Sequence, residues 1–105
     1  MRNLIQHSTG FDWDEGNLDK NWFRHGVHHS ECEEVFFNLP IVMKDDRKHS
    51  HQEHRYFVLG RTNVNRWLFV SFTMRETLIR VISAREMNQR ETRKYVAAIQ
   101  RYSNL

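Results

Sequence analysis

Apolar residues in the first part of the chain recur with helical spacing. Leu18 and Trp22 lie four residues apart, which places both on one face of a helix. Asp14 is positioned to cap the start of this helix, and Gly26 follows His25 where a left-handed C-terminal cap is common. The pattern therefore predicts a first helix from an N-cap at Asp14 to His25.

A second helix is predicted directly after the first. Ser30 and Glu33 have the spacing of a capping box. The apolar run at 35–37 brings the end of this helix into the core, and Pro40 cannot continue it.

The middle of the chain has a β pattern. A short strand at 41–43 and a polar, histidine-rich loop precede three segments rich in β-branched and aromatic residues, which are Arg55–Arg61, Arg66–Met74 and Thr77–Ala84. Turn residues separate the segments, so we predict an antiparallel meander. In the run 67–70 the apolar residues do not alternate, which favours a strand in the middle of the sheet with both faces covered.

The last helix is predicted from a second capping box, Asn88 with Glu91. Its apolar stripe, which should pack on the sheet, consists of Tyr95, Ala98, Ile99 and Tyr102. The expected fold is α+β, with two N-terminal helices, an antiparallel sheet of about four strands and a C-terminal helix.

Composition fits a single folded domain over residues 1–105. The chain is 39% hydrophobic and 12% aromatic, which is too apolar for a disordered protein. We find no run of membrane-spanning length and no apolar block in residues 1–10, so we expect no signal peptide and a cytoplasmic protein. Cys32 is the only cysteine, which fits a reducing compartment, and we interpret it as a packing residue.

Charge is distributed unevenly along the chain. Residues 1–54 contain six Lys/Arg against ten Asp/Glu, a net charge of −4, whereas residues 55–105 contain ten against three, a net charge of +7. Such a basic half is typical of nucleic-acid binding, although a solvated basic surface has the same composition.

The segment 77–87 carries arginines on a predicted strand that leads into the last helix. Guanidinium groups stay charged and bind phosphate through a planar fork of donors. Arg80 and Arg85 are an odd number of residues apart, so a straight strand would direct them to opposite faces. If both act on one ligand, the strand must bend, bulge or end near Ser83.

Several other chemistries have little support. Three histidines cluster at 25–29 and three more at 49–54, but neither group has the spacing of a zinc motif, and we predict no metal and no cofactor. The chain lacks a glycine-rich phosphate loop and a serine nucleophile motif. The remaining arginine, histidine and tyrosine residues suit RNA cleavage without metal, in which the ribose 2′-hydroxyl attacks the adjacent phosphate.

The chain resembles the BrnT toxins of type II toxin–antitoxin systems, small ribonucleases related in fold to the RelE toxins. The resemblance covers residues 11–95 and rests on seven pieces in order. These are Phe11-Asp12-Trp13-Asp14, Asn21 with His25-Gly26-Val27, Val35-Phe36-Phe37, Asp45-Asp46-Arg47, Glu53 with Arg55-Tyr56, Gly60-Arg61, and Arg80-Val81-Ile82-Ser83-Ala84-Arg85. The chain differs from the family pattern at Arg24, where lysine is usual, and at His28-His29.

The resemblance implies a ribonuclease that arrests translation and is neutralised by a BrnA-type antitoxin with a ribbon-helix-helix DNA-binding region. The complex would repress its own operon, so that contact with operator DNA is indirect, and it would contain a homodimer of the toxin. The toxin domain would span 11–102, after an N-terminal extension at 1–10. The implied catalytic residues are Arg75, Arg80, Arg85, His25 and Tyr95, and the implied RNA-binding residues are Arg55 and Arg61.

Two of these residues have structural alternatives. His25 could instead hydrogen-bond the helix end beside Gly26, and Tyr95 lies on the apolar stripe of the last helix, where a core role is favoured. For the whole chain, the alternatives are a nucleic-acid-binding module without catalysis and an interaction protein whose basic surface binds an acidic partner.

Overall fold

The computed structural model describes residues 2–104, which form α-helices and a β-sheet and thus have the predicted α+β class. The helices are α1 (Arg2–Gln6), α2 (Lys20–His25), α3 (His29–Val35) and α4 (Gln89–Ser103). The strands are β1 (Gly10–Phe11), β2 (Val42–Asp45), β3 (Arg55–Arg61), β4 (Trp67–Arg75) and β5 (Leu78–Glu86). A single 3₁₀ turn, Arg47–His49, lies between β2 and β3.

The five strands form one sheet in the order β1-β5-β4-β3-β2. β2 to β5 pair antiparallel, which confirms the predicted meander and the central position of β4. β1 pairs with β5 in parallel, so the sheet is mixed and has one strand more than the four expected. This short pairing depends on contacts between distant segments, which local sequence patterns do not encode.

One face of the sheet, called here the core face, carries the main hydrophobic core. Val58, Val70 and Phe72 are fully buried there against Val35 and Phe36 of the α3 region. The opposite face is the outer face. It carries the alternate side chains of the strands and is covered in part by α4.

The N-terminal part of α2 differs from the prediction. Asp14 caps the turn before this helix, because its Oδ1 accepts from the Asn17 amide at 3.0 Å while Asn17 Oδ1 accepts from the Asp14 amide at 2.8 Å, the pattern of a capping box. The α-helix itself, however, begins only at Lys20. The predicted apolar face is also wrong, because Trp22 is 54% exposed whereas Asn21 is buried.

The capping box of α3 lies two residues earlier than predicted. His28 Nδ1 accepts from the Ser30 amide at 3.3 Å, and Glu31 accepts from the His28 amide at 3.0 Å. Glu33, the residue expected to complete the box, accepts instead from Trp13 Nε1 at 2.8 Å. A tertiary contact has therefore replaced the local one.

Other local predictions are confirmed. Gly26 caps α2 with a positive φ of 65°, and Asn88 with Glu91 forms the capping box of α4. Tyr95 and Ala98 are the buried residues of α4. Among residues 2–104 the structure contains no helix with the length and apolar character needed to cross a membrane.

Candidate functional site

Strand register places all five predicted strand arginines, including Arg61 at the far end of β3, on the outer face. Arg55, Thr73 and Arg80 are successive partners across β3, β4 and β5, and paired residues point to the same side of a sheet. Arg75 lies two residues beyond Thr73 on β4 and therefore shares this face. Arg85 pairs with Phe69, four residues before Thr73, and belongs to the same face.

A bulge in β5 explains why Arg80 and Arg85 share a face. The pairing with β4 skips Ile82, next to Ser83, where the sequence indicated that an irregularity would be needed. Four ladder steps separate the two arginines, so their Cα atoms lie about 14 Å apart. They occupy one surface but do not form a single phosphate clamp.

The bulge is held in place by the segment that contains α2. Three hydrogen bonds to the main chain of β5 do this, namely Asn17 Nδ2 to Val81 O (3.3 Å), Lys20 Nζ to Ile82 O (3.0 Å) and Ala84 N to Asn21 Oδ1 (3.0 Å). Backbone groups that leave the ladder at a bulge need other partners when they are buried. The burial of Asn21 thus contributes to positioning the arginines.

Arg80 is oriented by two carboxylates from the segment after β1. Its Nη2 donates to Asp14 Oδ2 at 2.8 Å, and its Nη1 lies 3.5 Å from Asp12 Oδ2. The hydrogen bond from Arg80 lowers the pKa of Asp14, and the bond to Asp14 raises the pKa of Arg80. The Arg80 side chain is only 18% exposed, and its two carboxylate contacts orient the guanidinium.

Arg85 is held at the start of α4. It donates two hydrogen bonds to the Glu91 carboxylate, at 2.7 and 2.9 Å, and its Cζ lies 4.2 Å from the centroid of the Phe69 ring. The bonds to Glu91 raise the pKa of Arg85. Burial raises the pKa of Glu91, but the bonds from Arg85 and Asn88 outweigh burial and lower it overall. Arg85 is thus a preoriented cation stacked on an aromatic ring.

Arg75 and Arg55 are held less tightly. Arg75 Nε lies 3.9 Å from Glu53 Oε2, and its side chain is about half exposed. Arg55 borders a cavity of about 320 Å³ whose other lining residues are His49, His51, Gln52 and Glu53.

A second cavity, of about 380 Å³, opens on the outer face between α4 and the 3₁₀ turn; we call it the aromatic cavity. Its floor contains Phe57 and Phe69, whose rings stack with centroids 5.2 Å apart. The remaining lining residues are Asp46, His49, Leu59, Arg85, Asn88, Arg90, Glu91 and Lys94. Aromatic rings beside arginine and lysine form a surface that an unpaired nucleobase can contact while the phosphates of its strand meet the cations.

Three predicted residues lie apart from this arrangement. Arg61 is at the opposite end of β3 from Arg55, about 20 Å away along the strand, and donates to Leu39 O at 2.6 Å. His25 is exposed at the end of α2. Tyr95 is fully buried and its hydroxyl donates to Pro40 O at 2.8 Å, which favours a role in the core over a catalytic role.

The sequence interpretation missed the floor of the aromatic cavity and the His49 side chain. Phe57 lies two residues after Arg55 on β3, so the alternation of side chains along a strand could have placed both on one face. Phe69 was hidden in an apolar run without alternation. His49 was grouped with its neighbours as a histidine cluster, although its spacing of three from Asp46 would have suggested a local pair.

Among residues 2–104, no three His, Cys, Asp or Glu side chains are arranged to hold a metal ion. Cys32 is buried, and burial followed by the charge of Glu31 raises its pKa to about 12, so its thiol is neutral and suits a packing role.

The comparisons with known proteins identify a family. A family model described as the ribonuclease toxin BrnT of type II toxin–antitoxin systems matches residues 13–91, which include Arg80, Arg85 and most of the aromatic cavity. The comparison with curated proteins found no match.

Proposed function

The chain belongs to the family of BrnT ribonuclease toxins of type II toxin–antitoxin systems, and from this premise we propose that it cleaves single-stranded RNA without a metal ion. RNA is thus its substrate and an antitoxin its partner at the level of the family. The observation that carries the proposal is the outer face, where Arg55, Arg75, Arg80 and Arg85 share one side of the sheet with a stacked pair of phenylalanines.

Fixed arginines support catalysis without metal. Attack by a ribose 2′-hydroxyl adds negative charge to the phosphate in the transition state, and preoriented cations stabilise this charge with little reorganisation. The carboxylates that hold Arg80 and Arg85 keep their guanidinium groups in fixed directions before substrate arrives. A metal ion would supply the same stabilisation, so these arginines can replace it.

The aromatic cavity supports a single-stranded substrate. A base can pack against the Phe57–Phe69 pair only when that base is not paired within a duplex. Base stacking on aromatic side chains contributes about 1–3 kcal/mol per base and is tolerant of sequence. Arg90 and Lys94 at the rim form no ion pair with any residue among 2–104 and are available to the flanking phosphates.

Cleavage of a long RNA by the purified chain in excess EDTA tests the proposal. We expect fragments to form at the same rate with and without the chelator, and Arg85→Ala to lose cleavage while it retains measurable RNA affinity. Loss of activity on chelation, restored by Mg²⁺ or Zn²⁺, would refute the metal-independent mechanism. RNA binding without any turnover would instead identify a nucleic-acid-binding module.

In the cell we propose that cleavage takes place in the cytoplasm and arrests translation. A BrnA-like antitoxin would neutralise the toxin, bind operator DNA for the complex and assemble with a toxin homodimer. Growth and protein synthesis during expression with and without the neighbouring reading frame test this part. Arrest that the neighbouring reading frame does not relieve would contradict the assignment of that protein as antitoxin.

A further inference from the structure

Cleavage by a 2′-hydroxyl requires a group that accepts the hydroxyl proton. Among residues 2–104, we propose that His49, oriented by Asp46, is the general base of the reaction; this inference rests on the proposed function. The two other proton-transfer candidates fit less well. Tyr95 is buried and donates its hydroxyl to Pro40, and His25 is not among the residues that line the aromatic cavity.

The Asp46–His49 pair has the geometry of an oriented base. His49 Nδ1 lies 3.0 Å from both Asp46 carboxylate oxygens. Asp46 occupies the N-cap position of the 3₁₀ turn but does not cap it with its side chain, because its carboxylate faces the imidazole instead. Because Nδ1 carries the proton and donates it in a hydrogen bond to the Asp46 carboxylate, Nε2 is the unprotonated, basic nitrogen.

The Nε2 atom is accessible to substrate. The His49 side chain is 62% exposed, whereas Asp46 is 18% exposed. Nε2 forms no hydrogen bond within the part of the chain that the structure describes. The pair therefore combines a largely buried carboxylate with an open imidazole edge, as a proton-accepting group requires.

His49 also lies between the groups that would hold RNA. It lines the cavity of Arg55 and also the aromatic cavity that contains Phe69 and Arg85. A nucleotide whose base packs against the Phe57–Phe69 pair and whose phosphate meets an arginine would bring its ribose to the edge of this space. The 2′-hydroxyl would then be in the vicinity of Nε2.

His49 Nε2 removes the proton from the 2′-hydroxyl, and the 2′ oxygen forms a bond to phosphorus as the bond from phosphorus to the 5′ oxygen breaks. The 5′ oxygen takes a proton from water, and the imidazolium returns its proton to solvent. The products are a 2′,3′-cyclic phosphate and a 5′-hydroxyl, and the Asp46 carboxylate stabilises the transient imidazolium charge.

The chain contains a matched control for this pair. His54 Nε2 lies 2.7 Å from Asp45 Oδ1, so the two pairs have the same chemistry and both histidines are largely exposed. His54, however, stacks on Tyr56, whose ring stacks on the buried Phe72 of the core face. The control pair thus lies on the side of the sheet opposite to the arginines.

The test is single-turnover cleavage of RNA in EDTA by the full chain. We expect His49→Ala and His49→Gln to lose at least about 100-fold in rate, in the range of general base catalysis, and His54→Ala to stay within about twofold of wild type. Affinity for a 2′-deoxy analogue and the thermal midpoint should be unchanged in all three variants. The proposal would be overturned if His54→Ala lost as much cleavage rate as the His49 variants, or if both His49 variants kept the wild-type rate.

Asp46 is assigned a positioning role, which rescue by a conservative variant can separate from a structural one. Asp46→Ala removes the acceptor that orients Nδ1 and should lower the single-turnover rate, whereas Asp46→Asn keeps an oxygen that can accept from Nδ1 and should recover part of that rate. Affinity for the 2′-deoxy analogue should be unchanged in both variants. A wild-type rate for Asp46→Ala would remove Asp46 from the assignment.

A substrate with a 5′-sulfur leaving group distinguishes base from acid. Sulfur leaves without protonation, so a variant that lacks a general acid would recover its rate on this substrate, whereas a variant that lacks a general base would not. We expect His49→Ala to remain slow. Recovery would overturn the assignment as base, and failure of the wild-type chain to cleave any RNA would overturn the proposed function itself.

Discussion

Replacement of Arg85 by lysine separates the role of charge from the role of geometry. Arg85 makes two hydrogen bonds to Glu91 and lies over the Phe69 ring at 4.2 Å, and both contacts depend on a planar guanidinium. Lysine keeps the positive charge but cannot form a bidentate contact with either a carboxylate or a phosphate. We therefore expect Arg85→Lys to lose activity while it keeps its fold.

The expected magnitudes differ for activity and for stability. Loss of one transition-state donor typically costs about 10²–10³-fold in rate, and the retained ammonium should recover part of this, so we expect a loss of about 10–100-fold. This corresponds to about 1.4–2.7 kcal/mol of transition-state stabilisation. The Arg85–Glu91 pair is about one-third exposed on the arginine side, so the free energy of unfolding should fall by at most about 1 kcal/mol.

The assay is the cleavage rate on a long RNA for purified variants, with circular dichroism to verify folding. Arg80→Lys should also lose activity, because Arg80 is likewise held by carboxylates, but less than Arg85→Lys, because Arg80 lies about 14 Å from Arg85 and lines neither cavity. Arg101→Ala is the control, since Arg101 is exposed in the last turn of α4 and there only complements the helix dipole. If both lysine variants keep wild-type rates, or Arg101→Ala is as damaging as Arg85→Ala, the outer-face assignment is wrong.

Three further predictions concern stability and reactivity. Gly60→Ala should lower the free energy of unfolding by about 1–3 kcal/mol, because a Cβ there would lie 2.6 Å from Val35 Cγ1; an unchanged urea midpoint would contradict this. The pKa of Glu91 is lowered in the folded chain, so its stabilisation is present above its ordinary pKa of 4.5 and is lost in acid. Glu91→Gln still suits a capping box. In this variant the free energy of unfolding, measured with urea, should therefore decrease less between neutral and acidic pH than in wild type, and an equal decrease would refute the role of the Arg85 pair. Cys32 should resist thiol reagents at neutral pH until the chain is unfolded, because burial raises its pKa to about 12, and rapid labelling of the native chain would contradict that burial.

The elements that local patterns predicted well are those whose cues lie within a few residues. The capping box of Asn88 and Glu91, the cap at Gly26 and the three long strands all belong to this group. The capping box of α3 was misplaced because Glu33 is used by Trp13, twenty residues away. Sequence patterns of this kind record local preference, and a competing tertiary contact can override it.

The candidate site was predicted in its residue types more than in its geometry. The odd spacing of Arg80 and Arg85 along β5 indicated that the two could share a face only if the strand was irregular, and a bulge is present at Ile82. The sequence could not specify strand register, and register is what places Arg55 beside Arg80 and Phe69 beside Arg85. It also could not identify the carboxylates that orient each guanidinium.

The ion pairs explain how an acidic half and a basic half make one functional surface. Arg80 pairs with Asp14 from the N-terminal half, and Arg75 lies near Glu53 of the same half. Part of the net charge of +7 in residues 55–105 is therefore neutralised within the fold. The main effect of these ion pairs is to orient the arginines. The cations that line the aromatic cavity without an ion pair within 4.0 Å among residues 2–104 are Arg90 and Lys94, in the first turns of α4. General attraction of RNA and fixed contact with one phosphate are thus carried by different residues, because a mobile cation suits the first and an oriented guanidinium the second.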